Sequence, residues 1–377
     1  MKAIFYLACA AGLATASALM AQRPDSASAA DSAARAAVQP VNVTGYVTTS
    51  YTYSTNARHD TIVGRLYGRR QNEFMLNVAN VTLERVAATD RMSAGFHFEG
   101  WFGQNAAVVK STGLDLGANA DIWQGYVVFN APLSGAGRYL QLKAGKMATL
   151  MGVEVGEDIL NPNLDIGLQD IFVEPFTETG VELDAKLSSR FDVELRVSNG
   201  WDQVTDLNTG KTIMLRLGLT PDDRTLIAFT GSMGPEQPDN TSNQRLAINA
   251  LVSRKTTPAS NVSAQLDYGQ EDGAGLGGGQ AKWYAAGVWV TDDVSPSATL
   301  ALRADYVNDR DGARTSGVLG LPANSGQQLG SLTATLNLKS WDHALVRPEI
   351  RYDHSNLNVF NASEARLSFG VGFSYLY

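Results

Sequence analysis

Two groups of charged residues give this sequence its clearest chemistry. The stretch 148–177 holds six carboxylates and no Lys or Arg, and four arginines follow at polar positions of later segments. Guanidinium and carboxylate groups form strong charge-assisted pairs, and when they line a wet gap they orient dipolar solutes and screen ions. The carboxylates are Glu154, Glu157, Asp158, Asp165, Asp170 and Glu174, and the arginines are Arg303, Arg347, Arg351 and Arg366.

Acid–base chemistry has weaker support. The chain has four histidines, and a hydrolase needs a serine or an acidic group beside one of them. The sequence contains two such pairs, His97 with Glu99 and Asp353 with His354, and neither belongs to a specific motif. The carboxylate spacing does not match a calcium loop. We therefore predict no catalytic residue, no metal site and no cofactor.

Strands of alternating character must position the charged groups. In "VELDAKL", Val181 and Leu183 face one way and Glu182 and Asp184 the other. By this period-two pattern we count about 16 segments, most of them about 10 residues long, which is the length of a tilted membrane-spanning strand. Short and long links alternate between them. One segment contains Pro348, which predicts either a bulge there or a strand that begins at Glu349.

Alternating short and long links predict an all-β, up-and-down antiparallel barrel of about 16 strands that spans an outer membrane, with both termini on the periplasmic side. The alternative is a soluble β-sandwich or β-solenoid. A barrel of this size is too wide for its own side chains to fill, so water or an inserted segment must occupy it. The longest link, 148–177, is the third outward loop and is predicted to form a constriction.

The predicted pore-lining set combines this loop with the later strands. It comprises the six carboxylates, the four arginines, Asp305 and Glu349. Our hypothesis is that loop acids face the arginines across a narrow, water-filled eyelet. The alternative is that the acids are ordinary solvated loop charges, and that the arginines pair with neighbours such as Asp305, Glu349 and Asp353.

Both ends of the chain carry export features. Residues 1–21 resemble a secretory signal peptide that contains Cys9, the only cysteine, and 22–41 form a Ser/Ala/Asp-rich leader ahead of the barrel at 42–377. The chain ends in "EARLSFGVGFSYLY", whose alternate aromatic residues are typical of a barrel-insertion signal. These are Phe369, Phe373, Tyr375 and Tyr377. The net charge of −8 gives no attraction for nucleic acid.

Four stretches resemble a known family. All lie within residues 161–272 and are similar to the OmpL-like β-barrel porins of Gram-negative outer membranes: "NPNLDIGLQDIFVEPFTETGVELD", "VSNGWDQVTDLNTGKT", "GSMGPEQ" and "LDYGQED". The resemblance implies an outer-membrane diffusion channel and carries over no catalytic residues.

We therefore expect a porin for passive diffusion of small hydrophilic solutes or ions, in contact with outer-membrane lipid, inserted by the barrel-insertion machinery and, by analogy, assembled as a homotrimer. The alternatives are a barrel-embedded hydrolase and a non-conducting structural or adhesive barrel.

Overall fold

Sixteen antiparallel strands form one closed barrel in the computed structural model. The structure describes residues 40–57 and 60–377. Each strand pairs with its neighbours in chain order and β1 pairs with β16, so every strand has two partners. Closure satisfies the backbone groups that hydrocarbon would leave unpaired. The predicted barrel and its strand number are confirmed, whereas the signal peptide at 1–21 and leader residues 22–39 lie outside the described residues.

The strands follow the predicted alternation closely. They are β1 (Asn42–Ser54), β2 (Glu73–Arg85), β3 (Ser93–Phe102), β4 (Ala120–Pro132), β5 (Tyr139–Ala148), β6 (Thr177–Lys186), β7 (Phe191–Trp201), β8 (Thr212–Asp222), β9 (Thr225–Gly234), β10 (Arg245–Lys255), β11 (Ser260–Glu271), β12 (Ala281–Ser295), β13 (Ala298–Asp309), β14 (Gln327–Trp341), β15 (Ala344–Ser355) and β16 (Ala365–Leu376). Links after odd-numbered strands are longer than those after even-numbered strands. The two rims of the barrel are therefore a long-loop rim and a short-turn rim.

Three of the long links matter for the site. We call them L1 (55–72, between β1 and β2), L3 (149–176, between β5 and β6) and L7 (310–326, between β13 and β14). In the described links there are two short α-helices, α1 (Gln104–Val109) after β3 and α2 (Leu168–Phe172) inside L3. Within the described residues, no helix is long and apolar enough to cross a membrane.

The two faces of the wall differ as the alternation requires. On β6 and β7, Leu183 and Leu195 are exposed on the outside, while Glu182 and Arg196 are buried inside. Outward apolar side chains and inward polar ones are the pattern of a barrel that meets lipid outside and water inside. Glu182 and Arg196 thus point from β6 and β7 into the lumen.

The proline in β15 leads to a local loss of pairing rather than to either predicted irregularity. β15 begins at Ala344, before Pro348, and Pro348 is still in register with Val371 of β16. On the other side, the pairing of β14 with β15 lapses between Val346 and Glu349. Proline has no N–H to donate, so the ladder loses a bond there while the strand continues.

Candidate functional site

L3 folds into the barrel and crosses its lumen. Near one side, the Thr48 hydroxyl of β1 donates to Asp158 Oδ2 at 2.7 Å. On other walls, the Val153 amide donates to Gln265 Oε1 of β11 at 2.7 Å, and Asn163 Nδ2 donates to Thr335 Oγ1 of β14 at 2.8 Å. A segment bonded to β1, β11 and β14 at once occupies the middle of the barrel.

Apolar residues anchor L3 inside the barrel. Ile166, Leu168 and Phe172 are all buried. Ile166 packs in a cluster with Trp101 and Trp123, whose rings stack at 4.4 Å between centroids. Leu168 and Phe172 join a second cluster formed with residues of β12, β13 and β14. L3 is therefore a packed part of the interior and not a solvated surface loop.

All six carboxylates of L3 are buried. Glu154 pairs with Arg303 at 2.6 Å, and Asp165 pairs with Arg65 of L1 at 2.9 Å. Three others accept from neutral side chains, namely Asp158 from Thr48 and Asn105, Glu157 from Gln124 and Glu174 from Gln265. Asp170 lies in α2 and is also buried. These acids are not the solvated loop charges of the alternative interpretation.

Three arginines on β13 and β15 hold the main chain of L3 in place. Arg303 donates to the carbonyl oxygen of Asp165 at 2.8 Å, Arg347 to that of Asp158 at 2.8 Å, and Arg351 to that of Ile166 at 2.9 Å. Buried guanidinium groups need such acceptors, because an unsatisfied charge in the interior is costly. We call β13 to β16, which carry these arginines, the clamp wall.

Carboxylates of the clamp wall complete this network. Asp305 accepts from the amide of Leu168 at 2.5 Å, and Glu349 accepts from the amide of Leu164 at 2.7 Å. Asp353 pairs with both Arg351 and Arg366, each at 2.7 Å. The arginines thus use wall neighbours as well as L3.

L3 and the clamp wall are in direct contact. Two cavities at this contact, one lined by Arg65, Asp165 and Glu349 and the other by Leu168, Asp353 and Arg366, have volumes of about 10 Å³ each. Such a volume holds about one water molecule. At these two cavities L3 packs directly against the clamp wall, so the predicted water-filled eyelet does not lie there.

The opposite wall, β5 to β8, carries some charged side chains that water still reaches, although Glu178, Glu182 and Arg196 on it are buried. We call it the open wall. Lys143 and Lys186 keep 21% and 27% of their side chains exposed, against 0% for Arg303 and Arg351 on the clamp wall. Its ion pairs are Lys143–Glu182, Arg196–Glu182, Arg196–Glu178, Lys186–Asp192, Arg216–Asp192 and Arg216–Glu194.

Sequence reasoning missed two parts of this arrangement. The charges of the open wall lie on polar positions of neighbouring strands, as in "VELDAKL", and that signal was available. Arg65, by contrast, reaches Asp165 from a link with no periodic pattern, and only the fold brings the two together. His97 lies within 3.5 Å of Glu84 and Glu99, and His59 is outside the described residues.

The pairing of Asp165 predicts a pH-dependent contribution to stability. Burial acts against it, but Arg65 and Arg351 hold the pKa of Asp165 below its ordinary value. Replacing Asp165 by Asn leaves Arg65 without its closest partner, and at pH 7 this should cost roughly 3–5 kcal/mol of unfolding free energy. A depressed pKa stabilises the fold above the unfolded value near 4, and the stabilisation disappears as pH falls through the folded value.

The difference in unfolding free energy between the wild type and D165N should therefore become smaller below about pH 4. A folded barrel changes its gel mobility when heating unfolds it. The temperature of this change, measured for both proteins at pH 7 and at pH 3, tests the prediction. D115N removes an exposed carboxylate paired with Lys110 and should change neither temperature appreciably. A D165N deficit that is equally large at pH 3 would contradict the assignment of this effect to the carboxylate.

A closed sixteen-stranded barrel with an apolar outer face, a polar lumen and a long inserted loop has the architecture of the outer-membrane porins. A family model described as "Putative beta-barrel porin-2, OmpL-like" matches residues 40–375. The chain belongs to this family, and it is an outer-membrane porin. The predicted family, function class and location in the outer membrane are confirmed.

Solved porin structures are similar in fold. Salmonella typhi OmpF, in a complex with daunomycin, superposes with a TM-score of 0.62 at 8% identity, covering 89% of this chain and 97% of that one. The outer-membrane channel DcaP of Acinetobacter baumannii superposes with a TM-score of 0.61 at 12% identity, covering 89% of this chain and 97% of that one. The trimer form of Vibrio cholerae OmpT superposes with a TM-score of 0.60 at 11% identity, covering 90% of this chain and 99% of that one. No curated protein sequence matches the chain.

Proposed function

We propose that this porin passes small hydrophilic solutes and ions by passive diffusion along the open wall, and that L3 sets the width of the passage. The observation that carries the proposal is the difference in exposure between the two walls. Lys143 of β5 and Lys186 of β6 are partly exposed, whereas Arg303 of β13 and Arg351 of β15 are buried against L3.

The purified barrel tests this proposal in planar bilayers and in liposomes. We expect discrete ion currents, and swelling with small sugars or amino acids that stops as solute size rises. A folded barrel that gives neither current nor swelling would refute the proposal and favour the structural or adhesive alternative.

A hydrolase in the same barrel is disfavoured by geometry. Asp353 and His354 are adjacent on β15, so their side chains point to opposite faces, with Asp353 buried inside and His354 exposed outside. His97 has only Glu84 and Glu99 as its ion-pair partners among the described residues. We therefore propose that the protein is a channel and not an enzyme, which an assay of lipid turnover by the folded barrel checks.

The open wall also predicts the ion preference of variants. Asp184 of β6 and Glu194 of β7 are directly opposite in register, so two carboxylates of like charge lie side by side. Replacing them together, D184N with E194Q, leaves Lys143, Lys186 and Arg216 in excess there and should shift the reversal potential in a salt gradient toward anions. R216Q should shift it toward cations.

D90N is the matched control, because Asp90 is exposed in the turn between β2 and β3 and lies outside the open wall. Its reversal potential should equal that of the wild type. If neither open-wall variant moves the reversal potential, ions do not pass along this wall.

The proposal includes assembly as a homotrimer. It is supported only by fold-level likeness, since one similar structure, Vibrio cholerae OmpT, has a trimer form. Light scattering from the detergent-solubilised protein measures the mass of the complex, and a monomer mass would refute this part without affecting conduction.

A further inference from the structure

Arg314 of L7 is held between two tryptophans at the long-loop rim. Its guanidinium carbon lies 5.4 Å from the ring centroid of Trp201, at the end of β7, and 5.6 Å from that of Trp283 in β12. Its Nε donates to the carbonyl oxygen of Phe172 in L3 at 2.7 Å. These contacts fix the plane of the guanidinium group and leave its two terminal nitrogens directed elsewhere.

The carboxylates around Arg314 already have other partners. Glu271 accepts from Arg245 at 2.8 Å and from Gln237 at 3.2 Å. Asp202 accepts from the amides of Phe176 and Thr177, each at 2.9 Å. Asp309 accepts from the amides of residues 313, 314 and 315 and from the Thr315 hydroxyl. Within the parts of the chain that the structure describes, Arg314 makes no ion pair.

Arg314 differs from most arginines of the two walls in having no carboxylate partner. Arg303, Arg351 and Arg366 of the clamp wall and Arg196 and Arg216 of the open wall each pair with a carboxylate, whereas Arg347 has only carbonyl acceptors. Burial, and then the nearby charge of Arg245, lower the pKa of Arg314 to about 10, so it remains protonated at neutral pH. Its terminal nitrogens form a rigid fork that matches the two oxygens of a carboxylate.

We infer that Arg314, stacked between Trp201 and Trp283, captures carboxylate-bearing solutes at the long-loop entrance of the lumen. The inference rests on the proposed function, because it names the class of solute that the passage favours. The two tryptophans are covered by the protein and the arginine is only half-buried, so the guanidinium fork, and not an aromatic surface, meets the solute.

Conductance in potassium acetate tests the inference. A binding site makes the current saturate as the salt concentration rises, and the half-saturating concentration reports its affinity. In R314Q this concentration should increase at least roughly tenfold, the change expected from losing one charge-assisted hydrogen bond. R310Q removes an exposed arginine from the same loop and should keep the wild-type value. Equal half-saturation in R314Q and wild type would overturn the inference, as would an equal change in R310Q.

Two further measurements separate the possible causes. Calorimetric titration of acetate into the folded barrel reads the site even if no current flows, so a failed site and a failed channel give different results. Potassium phosphate, tested in parallel, distinguishes the two oxyanions. Tighter Arg314-dependent binding of phosphate than of acetate would overturn the carboxylate assignment. The gel-mobility shift on heating verifies that R314Q is folded.

Discussion

Replacing Arg347 and Arg351 together by glutamine is expected to release L3 from the clamp wall, raise single-channel conductance and make the open current noisy. Each arginine donates to a carbonyl oxygen of L3, that of Asp158 at 2.8 Å and that of Ile166 at 2.9 Å. Glutamine is uncharged and too short to reach either oxygen. A segment that loses such bonds samples open states that its remaining contacts no longer suppress.

The energetic cost should be large. Hydrogen bonds to a charged group contribute about 1.5–3 kcal/mol each, and loss of Arg351 also leaves Asp353 with only Arg366 and a distant Arg65. Breaking one buried ion pair costs roughly 3–5 kcal/mol. The double variant should therefore shift its gel mobility at a clearly lower temperature. Two lost positive charges should also shift the reversal potential toward cations.

The control is R254Q. Arg254 pairs with Asp222 at 3.3 Å, and both side chains are about half exposed, so the pair contributes little. Conductance, noise and heat stability should match the wild type. If the double variant has wild-type current and ion preference in a folded barrel, the clamp wall does not hold L3 in place. The single variants R347Q and R351Q provide the same test should the double variant fail to fold.

The sequence predicted the barrel because lipid and water impose a strict rule on it. Outward and inward residues must alternate, so "VELDAKL" and similar segments carry their own secondary structure. The length and charge of 148–177 singled out the loop that crosses the lumen. Pro348 shows the limit of this reasoning, since only the neighbouring strands determine whether a missing N–H ends a strand or costs one bond.

The contacts of L3 could not be predicted from the sequence, for a different reason. Arg347 and Arg351 bind main-chain carbonyl groups, which every residue has, so no residue type identifies them. The choice of Arg65 as partner of Asp165 depends on how L1 and L3 fold into the same space. An acidic loop and an arginine-rich wall predicted attraction, but whether the two touch or leave a wet gap between them depends on how L3 packs in the lumen.

The second large effect concerns closure of the barrel. Deleting residues 375–377 should leave the chain exported but not inserted. Tyr375 pairs with Val47 and Leu376 with Tyr46, and Tyr377 exchanges backbone hydrogen bonds with Gly45 at 3.0 and 3.3 Å. Without these residues β1 keeps unpaired backbone groups at the end of the seam, which is the β1–β16 pairing that closes the barrel. Each unpaired group in hydrocarbon costs several kcal/mol. Fractionation followed by the gel-mobility shift measures insertion.

A double variant, Y375A with Y377A, separates pairing from recognition. It keeps every backbone bond of the seam and removes two aromatic side chains that are exposed on the outer face. We expect it to insert poorly as well, because the insertion machinery is predicted to read the alternating aromatic residues. S374A, which changes the inward side chain just before Tyr375, should insert normally. Normal barrels from the truncated chain would refute the closure argument, whereas normal barrels from Y375A/Y377A alone would show that pairing, and not aromatic recognition, makes this end of the chain essential.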